Sequence, residues 1–178
     1  MATSQNGWPA LSPSSPKLHT WVIPARNGRF KLRLRNGSAG FLLAYLALWF
    51  SERLEDATAQ GQLDDWGYAY RAVRGDSDLS NHASGTAMDI NATWHPLGAV
   101  FSGVFRRRKK RELLHRKLRR MGGVIRWGGD YRFRKDEMHF EVVQNITYCE
   151  GVAKRLMKTP RGLRILRANK GQRKVINS

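Results

Sequence analysis

Apolar and basic residues alternate over residues 29–35 (RFKLRLR). The alternation puts Phe30, Leu32 and Leu34 on one face and predicts a half-buried strand. Asn36-Gly37 marks a turn, and the pattern then changes. Residues 38–58 predict a buried amphipathic helix, capped by Ser38 and ended by Gly61. It contains the longest apolar run of the chain, Ala39 to Phe50 (AGFLLAYLALWF), followed at once by Ser51-Glu52-Arg53. That run is too short to span a hydrocarbon layer of ~30 Å, so no transmembrane segment is expected. Residues 66–74 (WGYAYRAVR) and 86–91 (TAMDIN) predict strands on either side of a Gly/Asp/Ser/Asn loop, and His95-Pro96-Leu97-Gly98 breaks the chain again. Residues 106–121 predict a second helix with Leu113, Leu114, Leu118 and Met121 as its apolar stripe, stopped by Gly122-Gly123. Residues 124–127 and 138–143 (MHFEVV) predict strands around a Gly128-Gly129-Asp130 turn. Residues 151–168 predict a third helix, and the last ten residues are expected to fray. Residues 1–28, rich in Pro, Ser, Asn and Gly, predict an irregular arm that packs through Trp8 and Trp21.

Strands and helices mix without a repeat or a regular βαβ alternation. That favours an α+β fold with a small antiparallel sheet flanked by helices. A chain of 178 residues fits one domain. It divides into a body over residues 1–150, with the irregular N-terminal arm, and a basic C-terminal helix or tail over 151–178. The single cysteine, Cys149, excludes an internal disulfide framework and a Cys-rich zinc cluster, so a metal site must come from His, Asp and Glu. The first 20 residues lack the basic start and apolar stretch of an export signal.

Charge refines this division. The net +18 is concentrated in two places: residues 106–120 hold ten basic residues and one acid, and residues 151–178 hold nine basic residues and no acid. The remaining 13 basic and 13 acidic residues cancel. A balanced body thus carries two basic attachments, which would draw an anionic polymer in a salt-dependent way. A nucleic-acid-binding protein with 106–120 as its contact helix is the reading from another class.

Five histidines are present. His115 sits on the basic helix and reads as solvated, His19 lies in the arm, and His95 precedes a proline and reads as structural. His82 and His139 have different company. His82 lies in SNHASGTAMD (residues 80–89), where Gly85 lets the backbone bend. Period-2 alternation then puts Ala87, Asp89 and Asn91 on one face, with Met88 and Ile90 on the core face. In DEMHFEV (residues 136–142), Met138, Phe140 and Val142 fit a core, and His139 and Glu141 share the opposite face. If the two strands are neighbours, His82, Asp89 and His139 can converge. Two imidazoles and one carboxylate suit a three-ligand catalytic zinc with a fourth position open for water. Such chemistry also needs a carboxylate that is not a ligand, which Asp136 or Glu137 can supply. It further needs an arginine for anionic substrate or a developing oxyanion, for which Arg71 and Arg74 are available. The helical His-Glu-x-x-His pattern, a phosphate loop and a Gly-x-Ser-x-Gly elbow are absent.

The two segments SNHASGTAMD and, about 50 residues later, DEMHFE resemble the two-part signature of the zinc D-alanyl-D-alanine carboxypeptidase and L-alanyl-D-glutamate endopeptidase family. These are the VanY-like peptidoglycan peptidases, which share a fold with the Hedgehog signalling domain. Ser80, His82, Gly85, Ala87 and Asp89 match the first part, and Asp136 and His139 the second. The flanking NGWP (6–9), WGYAYR (66–71), HPLG (95–98) and WGGDY (127–131) are similar to peptidase domains of bacteriophage endolysins, so the likeness covers roughly residues 6–145.

This resemblance implies a Hedgehog/DD-peptidase-like zinc peptidase domain. It implies Zn2+ held by His82, Asp89 and His139, Asp136 as general base and acid, and Arg71 as the site arginine, with Arg74 as the alternative. Glu141 is read as a partner that orients a ligand, Ser80 as a hydrogen-bonding group of the site or a loop former, Glu137 as a solvated neighbour, and Trp127 and Tyr131 as cleft or core aromatics. The implied substrate is bacterial peptidoglycan, cut at the L-Ala–D-Glu bond or, alternatively, at D-Ala–D-Ala. A Hedgehog-like domain that binds zinc without chemistry is a further alternative, disfavoured by Asp136 beside a complete ligand set. The implied setting is a phage lysin. It would act as a monomer with no specific nucleic-acid partner, accumulate in the host cytoplasm, and reach the cell wall through holin lesions.

Overall fold

A computed structural model of the chain describes residues 2–58, 64–73 and 78–178. The apolar run at 39–50 lies in helix α1 (Gly37–Arg53), and every residue from Gly37 to Ser51 is buried. A helix that is apolar on all sides must be covered on all sides, so α1 is a central helix and not the amphipathic one expected. It ends at Arg53 rather than running to residue 58; the Gly61 stop lies outside the described residues. Ser38 sits inside the helix and does not cap it. Instead, the Gly37 N–H donates to Gln172 Oε1 at 2.9 Å.

Against α1 pack a two-stranded antiparallel sheet, β1 (Leu18–Ile23) and β2 (Phe30–Arg35), and the C-terminal helices. β1 corrects the irregular arm: Trp21 and Ile23 are fully buried and lie opposite Leu32 and Phe30. The rest of the arm does pack through Trp8, which stacks under Arg35 and donates from its indole N–H to Gln144 O. A second antiparallel sheet has the order β3-β5-β4, from β3 (Ala87–Asp89), β4 (Ile125–Trp127) and β5 (His139–Val142). Of the segment 66–74, expected as a strand, the described residues 66–73 make only single bridges, Trp66 to Asp89 and Ala72 to Leu79. Helix α2 (Arg108–Arg120) buries Leu114 and Leu118 and keeps most of its basic residues outward, with Lys110, Arg111 and Lys117 half-buried. The fold is thus α+β with small antiparallel sheets, as the pattern predicts.

The basic C-terminal segment is not a frayed appendage. It forms α3 (Ile146–Leu156), α4 (Pro160–Ala168) and α5 (Gln172–Asn177). Asn145 and Thr159 cap α3 and α4 with their side chains. Val152, Leu156, Ile165, Leu166 and Ile176 join the core, and the Asn169 amide pairs with both backbone groups of Val22 on β1. The boundary drawn at residue 150 falls inside α3. No helix among the described residues is long and apolar enough to cross a membrane.

Phe50 couples this core to β5. Its ring is fully buried and meets Phe140 at 5.8 Å and Phe105 at 6.2 Å between centroids. Phe50→Ala is expected to cost about 3–5 kcal/mol. Thermal unfolding would register this as a fall in Tm of roughly 6–20 °C.

Candidate metal centre

The register of β3 and β5 sets Asp89 directly opposite His139 and the small Ala87 opposite Glu141. Met88 pairs with Phe140 on the other face, in the core. His82 arrives from a 3-10 turn, Asn81–Ser84, that precedes β3. Ser80 starts that turn by accepting the His82 N–H, and Gly85 ends it at φ 67°. A Cβ on Gly85 would stand 2.6 Å from the Arg35 nitrogen, where the Arg35 N–H donates to Gly85 O, so this bend requires glycine.

Three ligand atoms converge. His82 Nε2 lies 3.2 Å from His139 Nδ1 and 3.3 Å from Asp89 Oδ1, and His139 Nδ1 lies 2.8 Å from the same oxygen. His82 Nδ1 donates to Gly67 O at 2.5 Å, which leaves the Nε2 lone pair facing the cluster. Gly67 can come so close because a side chain there would overlap Arg33 O. On the far side of His139, Nε2 faces Glu141 Oε2 at 3.5 Å. Glu141 is itself held on several sides. Arg126, its cross-strand partner on β4, donates from Nε at 2.7 Å, Tyr131 OH donates at 2.6 Å, and the Asn81 amide donates as well. Glu141 therefore orients the ring that presents Nδ1 to the cluster.

Electrostatics follows from this packing. Burial disfavours the Asp89 carboxylate, but His82 and His139 outweigh it and hold its pKa far below the usual range. Burial likewise opposes charge on His139, yet its hydrogen bonds to Asp89 and Glu141 push the imidazole up to about 10. Glu141, despite burial, is held at about 2 by His139, Tyr131 and Arg126. The centre thus favours positive charge between its carboxylates, which is what a divalent cation supplies.

Asp136 lies beside the three. Burial pushes its carboxyl above the usual range; Asp89 adds to the rise, and His139, His82 and Arg71 oppose it. Its Oδ1 is buried without a hydrogen-bond partner, an arrangement that asks for a ligand or a proton to transfer. Gly128 O accepts the Asp136 N–H, and the Asp136 carbonyl accepts the His139 N–H, so one turn sets both side chains. The two imidazoles, one carboxylate and this spare carboxyl fit a catalytic zinc site.

These residues line a cleft of about 630 Å³ together with Arg71, Ser80, Tyr131 and Arg134. Of the two candidate arginines, Arg71 lines this cleft, and Arg74 lies outside the described residues. Trp127 is a core residue, 2 % exposed, whereas Tyr131 lines the cleft. Glu137 is not solvated. It is buried and accepts from the Phe101 and Ser102 backbone N–H groups, both at 2.8 Å, and from the Ser102 hydroxyl. His95 is structural: fully buried, it pairs with Glu55 at 2.7 Å and Ser102 Oγ at 2.9 Å. His115 is partly exposed and meets Asp130 at 3.0 Å. Sequence reasoning missed Asn81, Arg126 and Arg134. Only Arg126 carried a usable signal, as the residue that alternates with Ile125 and Trp127 on β4 and stands opposite Glu141 in the β4–β5 register.

Residues 74–142 match the family model of D-alanyl-D-alanine carboxypeptidase. The match spans His82, Asp89, Asp136, His139 and Glu141 and supports a peptidase, and the α+β fold with its small antiparallel sheets is compatible with that family. Arg71 lies ahead of the matched region. No curated protein and no solved structure matches the chain.

Proposed function

We propose that the protein is a zinc-dependent peptidoglycan peptidase that hydrolyses the L-Ala–D-Glu bond of the stem peptide. The observation that carries the reading is the convergence of His82 Nε2, Asp89 Oδ1 and His139 Nδ1 beside the buried, unpartnered Asp136 Oδ1. His82, Asp89 and His139 would hold the metal. A zinc ion bound there would polarise a carbonyl and lower the pKa of its bound water towards ~7. Asp136 takes the proton of the attacking water and delivers it to the departing amine. Arg71 holds the carbonyl oxygen as negative charge develops on it. Glu141 keeps His139 oriented, and Tyr131 and Arg126 keep Glu141 in place. The phage-lysin setting, with release to the wall through holin lesions, belongs to the same proposal.

The second reading is a D-Ala–D-Ala carboxypeptidase, favoured by the description of the matching family. Arg134 lines the cleft with Arg71, and neither guanidinium makes an ion pair among the described residues. Either substrate brings one free α-carboxylate next to its scissile bond, on D-Glu or on the terminal D-Ala, and Arg134 would pair with it.

A synthetic stem pentapeptide separates the two readings. The endopeptidase releases a peptide with a new D-Glu amino terminus, and the carboxypeptidase releases free D-Ala. Arg134→Ala is expected to raise KM about tenfold, the scale of one lost charged hydrogen bond at an exposed position. Amidation of the D-Glu α-carboxylate in the substrate removes that difference. Equal KM values for parent and variant on the unamidated peptide would show that Arg134 does not read this carboxylate.

A further inference from the structure

The two basic runs are separated by 30 residues in the chain and meet in the fold. Lys117 of α2 stands 4.3 Å from the ring centre of Tyr45 on α1, and Arg161 at the start of α4 stands 5.6 Å from the same ring. Arg155 of α3 donates to the Arg120 carbonyl at the end of α2. At this junction lies a cavity of about 240 Å³ lined by Tyr45, Glu52, Thr159, Pro160, Arg161 and Arg164. It is remote in sequence and in lining from the cleft of the metal centre.

Glu52 is the acid of the cavity. It accepts from Arg161 Nε at 3.1 Å and Nη2 at 2.7 Å, and from Arg164 Nη1. Arg164 is further fixed by donating to Pro24 O at 2.8 Å. One carboxylate thus orients two guanidinium groups but balances only one of the three charges that Lys117, Arg161 and Arg164 bring. Burial, together with the Arg161 and Arg120 charges, holds Lys117 below the usual lysine range, with Tyr45 offsetting part of this. The fold has therefore assembled like charges at one concavity, with Arg161 and Arg164 lining it and Lys117 beside it over Tyr45, a cost that an anion would relieve. A cavity of about 240 Å³ has room for one phosphate group and not for a folded partner.

We propose that this junction binds a phosphodiester polymer, with one phosphate between Lys117, Arg161 and Arg164. Exposed cations of α2 and α3–α5 then hold the neighbouring phosphates. Fixed guanidiniums suit the planar pairing that phosphate oxygens make. A concave site favours a flexible polyol-phosphate chain, which can feed a phosphate inward, over the stiff backbone of a duplex. The inference does not rest on the cleft chemistry, because binding is read without hydrolysis.

The test uses the full chain and poly(glycerol phosphate), with binding followed by titration calorimetry at 50 mM and 200 mM salt. The parent is expected to bind at low salt and to weaken at high salt. Arg161→Gln/Arg164→Gln is expected to lose at least tenfold in affinity. Lys117→Gln, which leaves Glu52 with both arginines, loses at least fivefold and guards against a folding defect in the double variant. Arg106→Gln/Arg107→Gln removes the same charge elsewhere on the basic surface and loses less than threefold. Hydrolysis of a soluble stem peptide is unchanged in all three, so failure of the cleft reading leaves this one standing. Equal losses at the junction and at Arg106/Arg107 would overturn the site in favour of diffuse charge. Tighter binding of a 20-base-pair duplex than of the polymer, or no polymer binding at 50 mM salt, would overturn the proposed partner.

Discussion

Asp136→Asn is expected to leave zinc bound at one ion per chain and to lower kcat by about 10²–10⁴-fold, the usual contribution of a positioned general base. The substitution keeps the side-chain volume and removes the oxygen that accepts a proton. None of the three converging atoms belongs to residue 136, so metal content is not expected to move. The local turn also survives, because its hydrogen bonds run through the Asp136 backbone, from N–H to Gly128 O and from carbonyl to the His139 N–H. KM is expected to stay within about threefold, since the contribution falls in the transition state. Metal analysis and steady-state kinetics on one preparation decide the matter. Turnover above a tenth of the parent would remove Asp136 from the proton-transfer role.

His139→Ala has a larger and different effect. It removes one of three converging ligand atoms, and bound zinc is expected to drop below about a tenth per chain at micromolar protein, with activity at background. The structure adds a second consequence. His139 lies between Asp89 and Glu141, both buried, and its imidazole offsets part of their charge; His82 shares Asp89, and Arg126 shares Glu141. Its removal leaves both carboxylates less compensated, a change expected to cost about 1–3 kcal/mol. The metal-free parent therefore unfolds at a higher temperature than metal-free His139→Ala. Glu141→Gln separates orientation from ligation. It keeps the ligand set, loses the charged partner of His139 Nε2, and is expected to weaken zinc by about 10–100-fold without abolishing turnover at saturating metal. A His139→Ala protein that retained a full zinc ion would refute the ligand set.

What could be read in advance was local or two-residue periodic. His82, Asp89 and His139 were legible because a Gly-bent loop and two short alternating strands fix which face each side chain takes. Apolar Met88, Ile90 and Phe140 mark the opposite, core face. The apolar run of α1 was legible as buried, but its all-round burial was not, since its coverage comes from β1–β2 and from α3–α5 at the far end of the chain. The C-terminal helices looked like a basic tail because charge dominates their composition. Their sparse apolar residues, Val152, Leu156, Ile165 and Ile176, fall on the faces that meet α1. Residues 66–74 look like a strand, yet the described ones, 66–73, find only single bridges, Trp66 against Asp89 on β3 and Ala72 against Leu79. Glu137 had no local sign of burial. Its partners are backbone N–H groups 35 and 36 residues away.

The most direct test of the account is mass spectrometry of purified peptidoglycan after incubation with the protein, with a zinc chelator and after zinc is restored. A zinc peptidase of the L-Ala–D-Glu bond yields fragments with new D-Glu amino termini, lost on chelation and recovered with zinc. Undigested peptidoglycan from several wall types, or the same fragments in the presence of chelator, would contradict that assignment.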